Sequence, residues 1–175
     1  MNTTPDPFDL ARFIRDVPDF PEPGIVFRDV TPLLAVPAAF ERAVSGLAEL
    51  DGDVDLVLGI ESRGFILGAP VALRTGAGFV PARKAGKLPG ETVSVSFQLE
   101  YGEAVLELQA GAVAPGQRVL IVDDVLATGG TAAAAAALVE QLGGVVAGLS
   151  FLIELSALHG ADKLAAYPHR SLLSY

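Results

Sequence analysis

The chain of 175 residues has no cysteine, no tryptophan and a single methionine, Met1. Without cysteine there is no disulfide framework, no thiolate nucleophile and no cysteine-ligated metal. Histidine is almost as scarce, and no ligand spacing links His159 to His169. Basic residues are few, with 12 Lys and Arg against 21 Asp and Glu, and the formal charge of −9 argues against non-specific attraction to nucleic acid or an anionic membrane. Long apolar runs are missing as well. The hydrophobic fraction is 51% and the mean hydropathy +0.47, yet glycine, proline or a charge interrupts every apolar stretch well short of a spanning helix. Met1 to Pro7 is neither basic nor apolar, so no secretory signal is expected and the cytoplasm is the expected location. No Gly-Lys-Ser/Thr loop and no G-x-G-x-x-G fingerprint occurs, which argues against nucleoside triphosphate hydrolysis and hydride transfer.

What is present alternates between strand-like and helix-like segments, the pattern of an α/β fold with a mostly parallel sheet covered by helices, in one domain over residues 1–175. Strands are predicted at Asp55 to Ile60, Phe79 to Ala82, Val119 to Val122 and Val145 to Leu155. Helices are predicted at Phe8 to Val17, Pro37 to Leu50, Phe65 to Arg74 and Ala132 to Leu142, with Ile25 to Phe27 as a short extended piece. Alternation in Val93 to Phe97 and Ala104 to Leu108 predicts a β-ribbon, and residues 83–108 read as a flexible lid with cations at its base. Leu158 to Tyr175 reads as a short helical and irregular tail.

Chemistry concentrates in Val119-Leu120-Ile121-Val122-Asp123-Asp124-Val125-Leu126-Ala127-Thr128-Gly129-Gly130-Thr131. It reads as a buried strand, an acidic tip, an anion loop and the start of a helix. Gly129 and Gly130 let the backbone approach a ligand closely, Thr128 and Thr131 add hydroxyls, and the unpaired N–H groups of the next helix favour a phosphate. Carboxylates repel phosphate, so Asp123 and Asp124 must serve another part of the same ligand. Acids that accept from vicinal hydroxyls beside a held phosphate suit a ribose 5-phosphate. The alternative is a plain strand-to-helix turn with solvated acids. A second anion site is suggested between Glu61 and Glu91, where Arg63, Arg74, Arg83, Lys84 and Lys87 fall with no acid among them.

Val119 to Thr131 resembles the phosphoribosyl diphosphate (PRPP) motif of the type I phosphoribosyltransferases. Pro18 to Asp29, Glu61-Ser62-Arg63-Gly64-Phe65, Arg83 to Gly90 and Leu99-Glu100-Tyr101-Gly102 are similar to the adenine-using members of that family, in unbroken order from about Phe8 onward. The resemblance implies the type I phosphoribosyltransferase fold, with residues 1–35 as an N-terminal hood, and transfer of ribose 5-phosphate from PRPP to N9 of adenine. It implies Mg²⁺ carried chiefly by PRPP, with no metal-ligating residues in the chain, and a homodimer in which a lid cation acts across the interface.

By the same resemblance Ser62, Arg63, Arg83, Lys84, Lys87 and Tyr101 hold the diphosphate side of PRPP. Asp123 and Asp124 hold the ribose, and Ala127, Thr128, Gly129, Gly130 and Thr131 the 5′-phosphate. Val26, Phe27, Arg28 and Val125 hold adenine, and Glu100 transfers the proton. Glu61 and Ala85, where the family often has other residues, carry no expected role. Two alternatives stand beside this reading: transfer to another purine or to orotate, and a PRPP- or purine-sensing regulator.

Overall fold

The structure is a computed structural model, and it describes residues 9–50, 52–98 and 103–175. Seven strands form the central sheet in the order β5 (Thr92–Gln98), β6 (Glu103–Gln109), β4 (Gly78–Lys84), β3 (Leu56–Ile60), β7 (Arg118–Leu126), β8 (Val145–Glu154) and β9 (His169–Ser174). The run from β4 to β9 is parallel, whereas β6 joins β4 antiparallel and pairs with β5 as a ribbon. A second sheet of two antiparallel strands, β1 (Arg15–Pro18) and β2 (Val26–Asp29), stands apart from it.

The parallel strands are apolar on both faces because helices cover both. Leu58, Ile60, Val119, Ile121 and Phe151 pack with α4 (Gly130–Gln141), while Val57, Leu120, Val122 and Leu152 pack with α2 (Pro37–Leu47) and α3 (Arg63–Thr75). The period-two alternation along β7 thus feeds two cores at once. α1 (Thr31–Leu34) is one short turn that plants Leu33 in the second core. The chain leaves β3 toward β4 on one side and later returns to β7 on the other, so the ends of β3 and β7 flank the switch point where open α/β sheets bind ligands.

Three expectations need correction. The helix expected over Phe8 to Val17 is a single 3-10 turn, Leu10–Phe13, capped by Asp9 and followed by β1. Pairing with β2 wins over local helix propensity, because a helix so short gains little by itself and the Arg15–Asp29 and Arg28–Asp16 ion pairs lock the ribbon. The tail is not irregular throughout. After 3-10 turns at Ser156–Leu158 and Gly160–Leu164 it returns as β9, an edge strand parallel to β8. Its His-Arg-Ser-Leu-Leu-Ser sequence lacks the β-branched alternation that marks a strand. Finally, β7 does not stop at Val122. It runs on to Leu126, with Asp123 opposite Phe151 and Val125 opposite Ile153, so the acids belong to the strand and not to a loop after it.

Candidate active site

The last turns of β3 and β7, the base of the β5–β6 ribbon and strand β2 enclose one cavity of about 920 Å³. From the sequence-predicted set it gathers Val26, Phe27, Arg28, Ser62, Arg63, Lys84, Asp123, Asp124, Val125, Ala127 and Thr131. A smaller recess beside it, lined by Thr128, Gly129 and Gly130 as well, opens over the start of α4. Arg83 and Lys87 do not line the cavity themselves but attach to Glu61, which does. Glu100 and Tyr101 lie outside the described residues.

Continuation of β7 into the acid pair puts the carboxylates on opposite sides of one strand. Asp124 is only 3% exposed, and its main-chain N–H donates to Asp123 Oδ1 at 2.9 Å. Arg63, the first residue of α3, brings Nε to 2.7 Å from Asp124 Oδ2. That approach lies off the hydrogen-bonding direction, so Oδ2 has a neighbouring charge but no donor of its own. Burial pushes both carboxyls above the usual carboxylate range; the charge of Asp124 raises Asp123 further, while Arg63 pulls Asp124 partly back. An acceptor of this kind is suited to a hydroxyl donor brought by a ligand.

The phosphate recess depends on Gly129, which caps α4 with φ +76°. A Cβ there would stand 2.3 Å from Gly160 O, so the loop is pressed against the 3-10 turn that follows β8. The first helical bond of α4 runs from Ala133 N to Gly129 O at 2.9 Å, leaving the N–H groups of Gly130, Thr131 and Ala132 without intrahelical partners. These donors and the helix dipole form an anion site.

On the other flank Gly64 lets α3 start directly against β7: a Cβ at Gly64 would be 2.7 Å from Val122 O. Glu61 sits at this tip and binds the base of the lid three ways. Lys87 Nζ lies at 2.6 Å, Arg83 Nε at 3.3 Å and the Lys84 main-chain N–H at 3.0 Å from its carboxylate. The Lys87 hydrogen bond leads in holding the Glu61 carboxyl down to about 2. The sequence assigned Glu61 no role, and the structure makes it the counter-ion of the cationic tract. The only signal was its place at the edge of the acid-free stretch.

Facing the acids across the cavity, Phe27 lies under the Arg63 guanidinium with 5.2 Å from Cζ to the ring centroid. Ile25, Phe97, Ala104, Val105 and Leu106 add apolar wall from the ribbon and the lid. Sequence reasoning missed these, since alternating apolar residues in a ribbon read equally as core.

A model of the phosphoribosyl transferase domain matches residues 30–169. Among curated relatives, the adenine phosphoribosyltransferase of Thermobifida fusca is 59% identical over 165 residues, covering 93% of this chain and 94% of its own length. That of Cutibacterium acnes is 61% identical over 156 residues, covering 89% and 88%. The crystal structure of adenine phosphoribosyltransferase from Thermoanaerobacter pseudethanolicus superposes with a TM-score of 0.92 at 51% identity, covering 95% of this chain and 98% of that one. With this agreement in sequence and fold, the chain belongs to the phosphoribosyl transferase family, in its adenine phosphoribosyltransferase branch.

Proposed function

We propose that the cavity transfers ribose 5-phosphate from PRPP to N9 of adenine, with AMP and diphosphate as products. The observation that carries the reading is the convergence, at the ends of β3 and β7, of a buried acid pair, a helix-start anion recess and a cationic tract, with a flat aromatic ring opposite. In the reaction the bond between C1′ and the diphosphate oxygen breaks and the bond from N9 to C1′ forms. Positive charge builds on the sugar ring and negative charge on the leaving group. Catalysis therefore consists of holding both partners in line and neutralising the diphosphate.

Ala127 to Thr131 would hold the 5′-phosphate on main-chain N–H groups, and Asp123 and Asp124 would accept from the ribose hydroxyls. Ser62 and Arg63, with Arg83, Lys84 and Lys87 released from Glu61, would hold the diphosphate. Phe27 would stack on adenine while the main chain at Val26 and Arg28 reads its edge and Val125 closes the pocket. Glu100 would move the proton at the imidazole ring of the base, and Tyr101 would bind PRPP. Among the described residues no group of three or more His, Asp or Glu could hold a metal ion by itself, so Mg²⁺ would enter on the oxygens of PRPP. The ion would be carried chiefly by PRPP and supply charge neutralisation at the diphosphate.

The chain would work as one domain, with residues 1–35 as a hood over the base and 83–108 as the lid. A homodimer is supported by α3, whose outer face carries Ile66 at 47% and Leu73 at 85% exposure, two turns apart on one stripe with Pro70. We place the enzyme in the cytoplasm, the compartment that a cysteine-free chain suits. The test is a panel of bases assayed with PRPP and Mg²⁺. AMP formed from adenine supports the reading, and no nucleotide from any base overturns it.

A further inference from the structure

The base-contacting strand β2 belongs to the small sheet, and among the described residues it pairs with no strand of the large one. Its end at Asp29 is anchored by the chain that runs on to Val30 and Leu33 in the core, and the rest of its position over the cavity comes from side chains. Two guanidinium–ring contacts bridge the gap in opposite senses. Arg63 of α3 reaches up to the Phe27 ring, and Arg28 of β2 reaches down to the Tyr175 ring, with 4.1 Å from Cζ to the centroid.

Tyr175 is a firm base for the second contact. It follows β9, its N–H donates to Glu154 O at 2.9 Å, and its carbonyl accepts from Ser156 N at 2.9 Å. Between those residues Leu155, which lines the cavity, donates to Leu126 O at 2.9 Å. The ring is thus tied to the ends of β7 and β8, the frame that carries Asp123 and Asp124. Arg28 is held on its other side by Asp16, its partner across the β1–β2 ribbon. A guanidinium clamped between a carboxylate and an aromatic face has few other orientations, and the main chain that bears it is fixed accordingly.

We propose that Tyr175 is a positioning residue for base recognition: its ring seats Arg28 and so sets the height of the Val26–Arg28 main chain above the acid pair. The inference rests on the assignment of Val26 to Arg28 to adenine, and it concerns a residue more than 140 positions away in the chain that touches no substrate. It acts on the base half of the site and leaves the PRPP half to β7 and α4.

The test measures KM for adenine at saturating PRPP, KM for PRPP, kcat and melting temperature in Tyr175→Ala, Tyr175→Leu and Tyr175→Phe, with Phe27→Ala as a reference. Loss of one cation–π seat predicts a rise in KM for adenine of about 3- to 30-fold in Tyr175→Ala and Tyr175→Leu. KM for PRPP should hold, and Tyr175→Phe, which keeps the ring, should behave as wild type. Equal rises for both substrates with a lowered melting temperature would make the residue a general structural one and overturn the proposal. So would an unchanged adenine KM in Tyr175→Ala while Phe27→Ala raises it. If Phe27→Ala too leaves adenine KM unchanged, the base-site assignment itself falls, and this inference with it.

Discussion

Arg63 Nε lies 2.7 Å from Asp124 Oδ2, and the same guanidinium covers the Phe27 ring. One side chain at the start of α3 thus touches the residues assigned to the sugar and to the base. In the free protein its charge also offsets part of the upward push that burial gives the Asp124 carboxyl. A ribose hydroxyl donating to Asp124 would replace a contact that the guanidinium makes at a poor angle, and so gain a hydrogen bond without losing one.

Asp124→Asn should weaken PRPP binding or turnover by about 10- to 100-fold, the size of one charge-assisted hydrogen bond. The amide keeps the volume, so the melting temperature should change much less. Titration calorimetry with PRPP and thermal unfolding separate the two effects. Normal kinetics with a greatly lowered melting temperature would make Asp124 structural. The raised carboxyls add a pH dependence: acceptance from hydroxyls needs the charged form, so PRPP affinity should fall as pH drops through their elevated range, earlier than ordinary aspartates would give.

The two glycines of the phosphate loop should fail differently. Gly129→Ala imposes a side chain at φ +76° and against Gly160 O, so it should lower the melting temperature as well as PRPP affinity. Gly130→Val places a branched side chain at the helix start where phosphate meets N–H groups, and it should abolish PRPP binding in a protein that still folds. Unchanged PRPP affinity in folded Gly130→Val would remove the recess from the phosphate site.

Much of this site was legible because its parts are local. A strand, two acids, two glycines and a helix follow one another within Val119 to Thr131, and residues that act together stand side by side in the chain. β9 and the role of Glu61 were not legible, because both depend on partners distant in sequence. His169 to Ser174 becomes a strand by lying beside β8, and Glu61 becomes a counter-ion by meeting Arg83 and Lys87 more than 20 residues on. The first helix misled for the same reason: Phe8 to Val17 has helical spacing in isolation, and the extended form of Arg15–Pro18 is set by pairing with β2.

Glu61 and Asp29 both have carboxyls held down to about 2, Glu61 first by Lys87 and Asp29 first by hydrogen bonds from Thr31. A carboxyl depressed by folding stabilises the native state above its unfolded value and loses that contribution as pH falls toward the folded one. The window therefore runs from the ordinary 4.5 for Glu61 and 3.8 for Asp29 down to about 2. Wild-type stability should drop across it, and Glu61→Gln with Asp29→Asn should flatten the decline. Chemical denaturation at pH 6, 4 and 2.5 measures this, and parallel curves for wild type and double variant would contradict it.

Glu100→Gln should lower kcat by about 100-fold or more while PRPP affinity stays close to wild type, as expected when one positioned proton-transfer group is lost. Steady-state kinetics and PRPP calorimetry on the same preparation check it. Wild-type turnover would reduce Glu100 to a lid residue.

Base choice rests on edge chemistry. Adenine offers a donor at its exocyclic amine and an acceptor at N1, whereas hypoxanthine and guanine offer an oxo acceptor and an N–H donor. A main chain at Val26 and Arg28 that matches the first pattern opposes the second at both atoms. Such a mismatch of buried polar groups costs several kcal/mol, on the order of 10⁴-fold in kcat/KM. Adenine should therefore be the one efficient natural base. If hypoxanthine, guanine, xanthine or orotate came within about tenfold of adenine, only roughly 1.4 kcal/mol of discrimination would remain. The edge-reading assignment of β2 would then be wrong, while transfer from PRPP would stand.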